Sequence, residues 1–165
     1  MTKNSPLLNT EEKVIIKSNN IKKNPSINMR KKLFEEKIQN KTLQIGIIGL
    51  GYVGLPLACE FAKTGINVTG FDINKEKTQQ VNQGISYIND VSNEMLLNVV
   101  QKKTLTATTD FSNIAEMDVI NICVPTPLSK SKDPDMTYIN SAVNAIKPFI
   151  RKDQLIILES TTYPG

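Results

Sequence analysis

Residues 44–65 read QIGIIGLGYVGLPLACEFAKTG, and this stretch predicts a strand, a tight turn and a helix in direct succession. Residues 43–48 are apolar enough to form a strand that is buried on both faces. Residues 53–64 have the pattern of a helix, and Pro56 is tolerated in its first turn. Gly65 stands where a glycine commonly ends a helix. The stretch therefore predicts the opening unit of an α/β fold.

The predicted turn carries three glycines at the spacing Gly49-x-Gly51-x-x-Gly54. In a dinucleotide-binding turn the first glycine permits the tight turn, the second lets the backbone approach a pyrophosphate, and the third lets the helix pack on the strand. Exposed N–H groups and the dipole at the start of the helix attract the anion. The alternative is a glycine-rich turn without a ligand, but the flanking strand and helix favour the dinucleotide site.

Asp72 ends the second predicted strand, residues 66–71, and follows Gly49 by 23 positions. An acidic residue at this distance accepts hydrogen bonds from the adenosine ribose of a dinucleotide. Its charge also repels the 2′-phosphate of NADP, so NAD is the predicted cofactor, although the nearby cation Lys77 weakens this argument. The alternative is that Asp72 is a surface turn residue or caps the helix predicted at residues 75–83.

Strands and helices alternate along the rest of the chain. Further strands are predicted at residues 105–108, 118–124 and 154–159, and further helices at residues 92–103 and 138–150, with a helical turn at residues 112–116. Such alternation implies parallel strands joined by right-handed crossovers. The predicted fold class is α/β, with a doubly wound, mostly parallel sheet of the Rossmann type.

The basic charge of the chain lies towards its amino-terminal end. Residues 1–44 hold ten of the 20 Lys and Arg residues and four of the 16 Asp and Glu residues, so their net charge is +6 and that of the remainder is −2. We interpret residues 1–28 as a flexible basic leader, residues 29–42 as a short amphipathic helix and linker, and residues 43–165 as the nucleotide-binding domain. No nucleic-acid partner is predicted, because no aromatic platform accompanies the basic residues.

Residues that the sequence lacks exclude several classes of function. Histidine is absent, which removes an imidazole base and histidine-based metal sites. Cys59 and Cys123 lie far apart within apolar runs, so we expect small buried hydrophobes in a reducing compartment and no metal. No apolar run is long enough to span a bilayer, and residues 1–20 lack a signal-peptide core. We therefore expect a cytoplasmic protein without a membrane partner.

Two further loops place polar side chains after predicted strands. Thr126 lies in the sequence VPTP, where its hydroxyl can touch a cofactor or a bound water, or where two prolines merely shape a rigid loop. Glu159 follows the apolar sequence LIIL, which predicts a buried strand. A desolvated carboxylate there needs partners or a role, such as orienting water or acting as a general acid or base. A cap-and-turn cluster at the next helix explains Glu159 equally well from local sequence.

Five motifs in order resemble the nucleotide-sugar dehydrogenases of the UDP-glucose/GDP-mannose dehydrogenase family. They are IGIIGLGYVGLPLACEFAKTG, GFDINKEK, ICVPTPL, DPDMTYI and LESTTYPG. The last three are most similar to members that oxidise UDP-N-acetylglucosamine or UDP-N-acetylmannosamine at C6. The resemblance covers about residues 30–165 and leaves the leader uncovered.

This resemblance implies an NAD-dependent oxidoreductase. The family oxidises a sugar CH₂OH group to a carboxylate with two NAD⁺ in sequence, acts on UDP-sugars and related substrates, and feeds the biosynthesis of surface polysaccharides. Its full-length members are usually homo-oligomers.

The resemblance also implies roles for individual residues. The backbone at Tyr52 and Val53 lies on the NAD diphosphate, and Asp72 and Lys77 contact the adenosine ribose. Three more residues are implied near the reacting groups. These are Thr126 and Thr161, beside the cofactor, and Glu159, which organises the catalytic water and proton transfers.

The family's nucleophilic cysteine, catalytic lysine and sugar-binding domain match nothing within residues 1–165. Cys59 and Cys123 do not match that cysteine, because one lies in the first helix after the glycines and the other within a strand. The chain is therefore expected to be an amino-terminal part that binds NAD and does not complete the oxidation alone. The alternative is a stand-alone nucleotide-binding regulatory Rossmann domain, whose leader contacts a partner.

Overall fold

The computed structural model describes residues 25–127 and 135–160 of the chain. Its five strands are β1 Gln44–Ile48, β2 Asn67–Phe71, β3 Leu105–Thr108, β4 Val119–Ile122 and β5 Leu155–Leu158. Neighbouring strands are parallel throughout and lie in the order β3-β2-β1-β4-β5. The predicted doubly wound parallel sheet is confirmed.

Helical segments precede or connect these strands in the described part of the chain. The helices are α1 Pro25–Gln39, α2 Gly54–Lys63, α3 Lys75–Asn82, α4 Asn93–Gln101 and α5 Thr137–Ile146, and 3-10 segments cover Phe111–Glu116 and Lys147–Phe149. The last helix was predicted to reach residue 150 but ends at Ile146. The reason is Pro148, whose backbone has no N–H to continue the helical hydrogen bonds.

The sheet is covered on both faces. One face packs against α2, α3 and α4, and its fully buried side chains include Ile47, Leu55, Leu96 and Leu105. The opposite face packs against the first 3-10 segment and α5, through side chains that include Phe71, Ile120 and Ile146. The apolar side chains of the central strand β1 thus enter both cores, as the continuous apolar run of a buried parallel strand predicts.

Strand β5 differs from the sequence-based expectation. Its apolar sequence LIIL was predicted to be buried, but Leu155, Ile156 and Leu158 are each nearly half exposed. The strand lies at the edge of the sheet, where it has a neighbouring strand on one side only. Ile157 alone among its four side chains packs against the core. The prediction of a buried strand here is wrong.

The opposite edge strand, β3, is covered by a side chain. The Asn82 carboxamide donates to the Ala107 carbonyl oxygen over 2.8 Å, and its oxygen accepts from the Ala107 N–H over 2.8 Å. Asn82 is the last residue of α3, so this pair of bonds also fastens the helix to the sheet.

Helix α1 lies on the domain through few contacts. It begins at Pro25, four residues before the predicted start, and proline is favoured at a first helical position because no helical acceptor is available there for an N–H. Phe34 packs against the core, whereas Met29, Leu33 and Ile38 are exposed. None of the helices in the described ranges is both long and apolar enough to cross a membrane.

Candidate cofactor-binding site

The motifs singled out in the sequence meet at one edge of the sheet. Gly49 follows β1, Asp72 follows β2, Val124 follows β4 and Glu159 follows β5. The chain runs outward from β1 to β3 and then returns to β4, so the loops after β1 and β4 diverge. Ligands of doubly wound sheets bind in the crevice that such a reversal creates. Two cavities, of about 350 and about 500 Å³, open at this edge.

The glycine loop between β1 and α2 is shaped by steric demands. Gly49 has φ +89°, and a Cβ there would lie 2.8 Å from the Cys123 carbonyl oxygen. A Cβ at Gly54 would lie 1.8 Å from the Gly49 carbonyl oxygen, so α2 starts in direct contact with the turn. A Cβ at Gly51 would meet nothing within 4 Å. Space for an approaching ligand therefore exists at the middle glycine.

Backbone amides at the start of α2 have no partner in the described structure. Among the hydrogen bonds of residues 25–127 and 135–160, none uses the N–H of Gly51, Tyr52 or Val53. Val53 occupies the N-cap position and offers no side-chain acceptor, and the Tyr52 side chain is 75% exposed. Unpaired amides at the positive end of a helix form an anion-binding site.

Asp72 is buried, with 8% of its surface exposed, and both of its carboxylate oxygens accept hydrogen bonds. Oδ2 accepts from the Leu50 N–H over 2.9 Å, and Oδ1 accepts from the Asn74 N–H over 2.9 Å. Asn74, rather than Asp72, caps α3 by accepting from the Glu76 and Lys77 amides. Asp72 borders both cavities and is held against the glycine loop.

The smaller cavity lies between the end of β2 and helix α5. Its wall is mostly apolar, with Asp72, Asn74 and Lys77 at one side. The apolar part includes Ile48, Ile73, Phe111, Val124, Pro125 and Ala142. A slot of this kind suits a flat aromatic ring joined to a polar group, because the ring is desolvated while the polar group reaches Asp72.

The larger cavity lies over the glycine loop and extends to β5. Gly51, Tyr52 and Val53 line it together with Lys77, Tyr87 and Glu159. The Glu159 side chain is exposed, so the expectation of a desolvated carboxylate at this position is wrong. The physical reason is the edge position of β5, which leaves the end of the strand open to water.

The two predicted threonines have different positions relative to the cavities. Thr126 is half-buried and follows Pro125, which borders both cavities, but Thr126 itself lines neither of them. Thr161 lies outside the described residues. The neighbouring Ser160 hydroxyl donates to the Val124 carbonyl oxygen over 2.7 Å, which ties the loop after β5 to the loop after β4.

Tyr87 is a residue of this site that the sequence did not reveal. Its hydroxyl donates to the Leu50 carbonyl oxygen over 2.8 Å, and the Lys77 ammonium lies 5.7 Å from the centre of its ring. Burial, with a further contribution from the Asp72 charge, raises the pKa of Tyr87, so the hydroxyl remains a donor at neutral pH. No local signal predicts this contact, because 37 residues separate the two partners in sequence.

Comparison with known proteins identifies the family to which this nucleotide-binding fold belongs. Residues 43–165 match the family model described as "UDP-glucose/GDP-mannose dehydrogenase family, NAD binding domain". The chain belongs to this family. The matched residues include the whole sheet, so the Rossmann domain of this family member is its NAD-binding domain.

Curated dehydrogenases are similar in sequence to this UDP-glucose/GDP-mannose dehydrogenase family member. It is 38% identical over 125 residues to the UDP-N-acetyl-D-glucosamine 6-dehydrogenase of Pseudomonas aeruginosa, covering 76% of this chain and 29% of that protein. It is 36% identical over 124 residues to the UDP-N-acetyl-D-mannosamine dehydrogenase of Pyrococcus horikoshii, covering 74% of this chain and 29% of that protein. The chain thus spans about three tenths of the length of these relatives.

Solved structures of family members superpose on this chain. The UDP-D-ManNAc dehydrogenase of Pyrococcus horikoshii aligns with a TM-score of 0.69 and 35% identity, covering 74% of this chain and 29% of that one. A ternary complex of GDP-mannose dehydrogenase from Pseudomonas aeruginosa aligns with a TM-score of 0.68 and 36% identity, covering 73% of this chain and 29% of that one. The family and the fold are therefore supported by sequence and by structure.

The two cysteines of this family member are buried and protonated. Cys59 and Cys123 are free thiols with almost no exposed surface, as predicted. Burial raises the pKa of each thiol from 9.0 to about 11, and the charges of Glu60 and Glu159 add to the effect at Cys59 and Cys123 respectively. Neither group is a thiolate at neutral pH. Within the described ranges, no three His, Cys, Asp or Glu side chains converge as metal ligands do.

Proposed function

We propose that this chain is the NAD-binding part of a dehydrogenase that oxidises the C6 hydroxymethyl group of a UDP-N-acetylhexosamine to a carboxylate with two NAD⁺. The relatives support the substrate class, because the UDP-N-acetyl-D-glucosamine 6-dehydrogenases and UDP-N-acetyl-D-mannosamine dehydrogenases among them are 36–39% identical to the chain. We place the product in the biosynthesis of surface polysaccharides. The stand-alone regulatory domain is not favoured, since these relatives are enzymes.

The observation that carries the proposal is the set of amides at Gly51, Tyr52 and Val53 that have no partner among the described residues. They lie at the start of α2 beside the open space at Gly51, and so they suit the diphosphate of a dinucleotide. NAD⁺, when bound, supplies the hydride acceptor of the reaction. The chain's own contribution at this point is to bind and orient the cofactor.

Asp72 and Lys77 are proposed to hold the adenosine ribose. Both side chains lie in the wall shared by the two cavities, which supports a role between a slot for the adenine and the amides for the diphosphate. The Asp72 oxygens each accept one bond already, and each retains a lone pair for a ribose hydroxyl. A 2′-phosphate would meet a buried carboxylate, so we expect NAD⁺ to be preferred over NADP⁺.

Glu159 is proposed as the group that orients water and moves protons. Its carboxylate is exposed at the wall of the larger cavity, on the side of the glycine loop that faces β5. A hydrated carboxylate at that position can accept a proton from a bound water or return one. Thr126 and Thr161, which follow β4 and β5 in the sequence, are proposed to lie beside the cofactor.

The thiol required for the covalent intermediates of the family is not supplied by Cys59 or Cys123, because both are buried and protonated. We therefore propose that these 165 residues bind NAD⁺ and do not complete the oxidation alone. The UDP-sugar is expected to be held mostly by residues outside this sequence, and longer family members are expected to be homo-oligomers.

Isothermal titration calorimetry with NAD⁺ and NADP⁺ tests the cofactor proposal. We expect NAD⁺ to bind the chain and NADP⁺ to bind about tenfold more weakly or worse, which corresponds to a difference of about 1.4 kcal/mol. Replacement of Asp72 by Ser should reduce this preference, since the repelling charge is removed. Equal affinity for both dinucleotides in the unaltered chain would contradict the assignment of Asp72.

A turnover assay tests the rest of the proposal. The purified chain is mixed with NAD⁺ and UDP-N-acetylglucosamine, and the absorbance of NADH is followed. We expect no sustained NADH formation. Robust turnover would show that these 165 residues suffice for the oxidation, and the proposed dependence on further residues would be wrong.

A further inference from the structure

We propose that Tyr87 is a positioning residue that sets the orientation of the glycine loop for the cofactor diphosphate and holds Lys77 at the cavity wall. The inference rests on the proposed cofactor site at Gly51, Tyr52 and Val53. It assigns a role to a side chain that lies outside the glycine motif and comes from the segment between α3 and α4.

Two successive peptide groups of the loop are each held by a side chain, one through its N–H and the next through its carbonyl oxygen. The peptide that joins Gly49 and Leu50 is held by its N–H, which donates to Asp72. The peptide that joins Leu50 and Gly51 is held by its oxygen, which accepts from the Tyr87 hydroxyl. Leu50 is the residue common to both peptides, and its side chain is fully buried. The backbone around Leu50 therefore has little freedom to rotate.

The bond from Tyr87 determines where the Gly51 amide points. In a trans peptide the N–H is directed opposite to the C=O of the same planar unit. When Tyr87 holds the Leu50 oxygen, the Gly51 N–H is directed to the other side, and that N–H has no partner within residues 25–127 and 135–160. Tyr87 thus acts on the cofactor through the backbone and not by direct contact.

The loop needs an external constraint because of its composition. Glycine has the largest backbone freedom of any residue, and Gly51 has no neighbour within 4 Å of the place of a Cβ that would restrict it. Without the Tyr87 bond, the peptide between Leu50 and Gly51 would sample other orientations before ligand binding. A loop that is ordered in advance binds its ligand more tightly, since less entropy is lost on association.

The ring of Tyr87 has a second effect, on Lys77. The Lys77 ammonium lies 5.7 Å from the ring centre, a distance at which a cation is attracted to the face of an aromatic ring. Lys77 and Tyr87 both line the larger cavity, so this contact keeps a positive charge on the side of the cavity where Asp72 also lies. The hydroxyl and the ring therefore act on two different groups of the site.

The test compares Tyr87→Phe with the unaltered chain. The substitution removes the hydroxyl and keeps the ring, its packing and its contact with Lys77. The matched control is Thr104→Val, which removes another hydroxyl-to-carbonyl bond, from Thr104 to Val99, just before β3 and away from the loop. Affinities for NAD⁺ and for adenosine, which lacks the diphosphate, are measured by titration followed in ¹H–¹⁵N spectra.

We expect Tyr87→Phe to weaken NAD⁺ binding by about three- to tenfold, the effect of one neutral hydrogen bond. Adenosine affinity should be unchanged, and the Gly51 amide resonance should shift in the unliganded protein. Tyr87→Leu, which also removes the ring, should weaken NAD⁺ binding further, by about another two- to fivefold. Thr104→Val should leave all affinities and the Gly51 resonance unchanged.

Several results would overturn the inference. If Tyr87→Phe binds NAD⁺ as tightly as the unaltered chain, Tyr87 does not position the loop. If NAD⁺ and adenosine lose affinity equally, the residue has only a general structural role. If the unaltered chain does not bind NAD⁺, the proposed function fails and this inference fails with it, so the two failures are distinguished by the first titration.

Discussion

The Lys37 ammonium lies 2.6 Å from Oδ1 of Asp118, and this contact joins helix α1 to the residue that precedes β4. The same oxygen accepts from the Arg151 guanidinium over 3.3 Å, and Oδ2 accepts from the Gln44 N–H over 3.1 Å. One buried carboxylate therefore connects α1, the start of β1 and the segment before β5. All of these contacts lie at the amino edge of the sheet, opposite the cofactor site.

We expect Asp118→Asn to lower the free energy of unfolding by about 1–3 kcal/mol, because hydrogen bonds to a buried charged group contribute about this much. Lys37 and Arg151 remain partly exposed and can be hydrated in the variant, which limits the loss. Urea unfolding measures the change. The control is Asp153→Asn, which breaks the exposed ion pair with Arg30 and should change the free energy by about 0.5 kcal/mol or less. Equal losses in both variants would contradict the role of Asp118.

The Asp118 carboxylate should also make stability depend on pH. Burial raises the pKa of Asp118, but the bond from Lys37, the Gln44 amide and the Lys37 charge outweigh burial and hold the pKa below its ordinary value of 3.8. The stabilisation is therefore complete above about pH 4 and is lost as pH falls through the lowered folded-state pKa. Unfolding of the unaltered chain and Asp118→Asn is compared from neutral pH to about pH 3. The difference between them should shrink at the acid end, and a constant difference would contradict this account.

Gly54→Ala and Gly51→Ala should separate stability from binding. A Cβ at Gly54 would overlap the Gly49 carbonyl oxygen, so α2 must move, and we expect a loss of about 3 kcal/mol in unfolding free energy. A Cβ at Gly51 meets open space, so stability should stay within about 0.5 kcal/mol of the unaltered chain. The methyl group would instead obstruct the diphosphate and weaken NAD⁺ binding by about tenfold. Full NAD⁺ affinity in Gly51→Ala would show that the diphosphate lies elsewhere.

The thiols should react slowly in the folded protein. A rise in pKa from 9.0 to about 11 lowers the thiolate fraction of Cys59 and Cys123 about a hundredfold at neutral pH, and burial adds a steric barrier. Labelling with iodoacetamide, followed by mass spectrometry, should therefore be at least about a hundredfold slower in the native chain than in urea. Fast native labelling of Cys123 would show that its sulfur is open to the larger cavity and available for chemistry.

The positions of the central strands could be predicted because their local sequences have one consistent explanation. The run from residue 43 to residue 48 is apolar on both faces, and the glycines that follow it match both the turn and the start of α2. The same apolar pattern misled at β5. Four consecutive apolar residues fit a central strand and an edge strand equally well, and only the position in the sheet decides how much of each side chain is exposed.

The cofactor site could be predicted only where its residues are encoded next to a strand end. Asp72 directly follows β2, and its separation of 23 residues from Gly49 in the sequence indicates that both lie at the carboxyl edge of the sheet. Tyr87 lies in an irregular segment, and its contact with Leu50 depends on how α3 returns the chain towards the sheet. The bond that the Lys37 ammonium donates to Asp118 joins residues 81 positions apart and also depends on tertiary packing. Contacts of this kind arise from tertiary packing and leave no local pattern.

The carboxamide of Asn82 occupies backbone groups at one edge of this sheet. A strand added beside β3 would need the N–H and carbonyl of Ala107, and both are already satisfied by that one side chain. Edge strands that offer free backbone groups can pair with further chains. In β3 the backbone groups of Ala107 are not free, because Asn82 is bonded to them. Addition of a strand beside β3 would have to displace this side chain, whereas addition beside β5 would not.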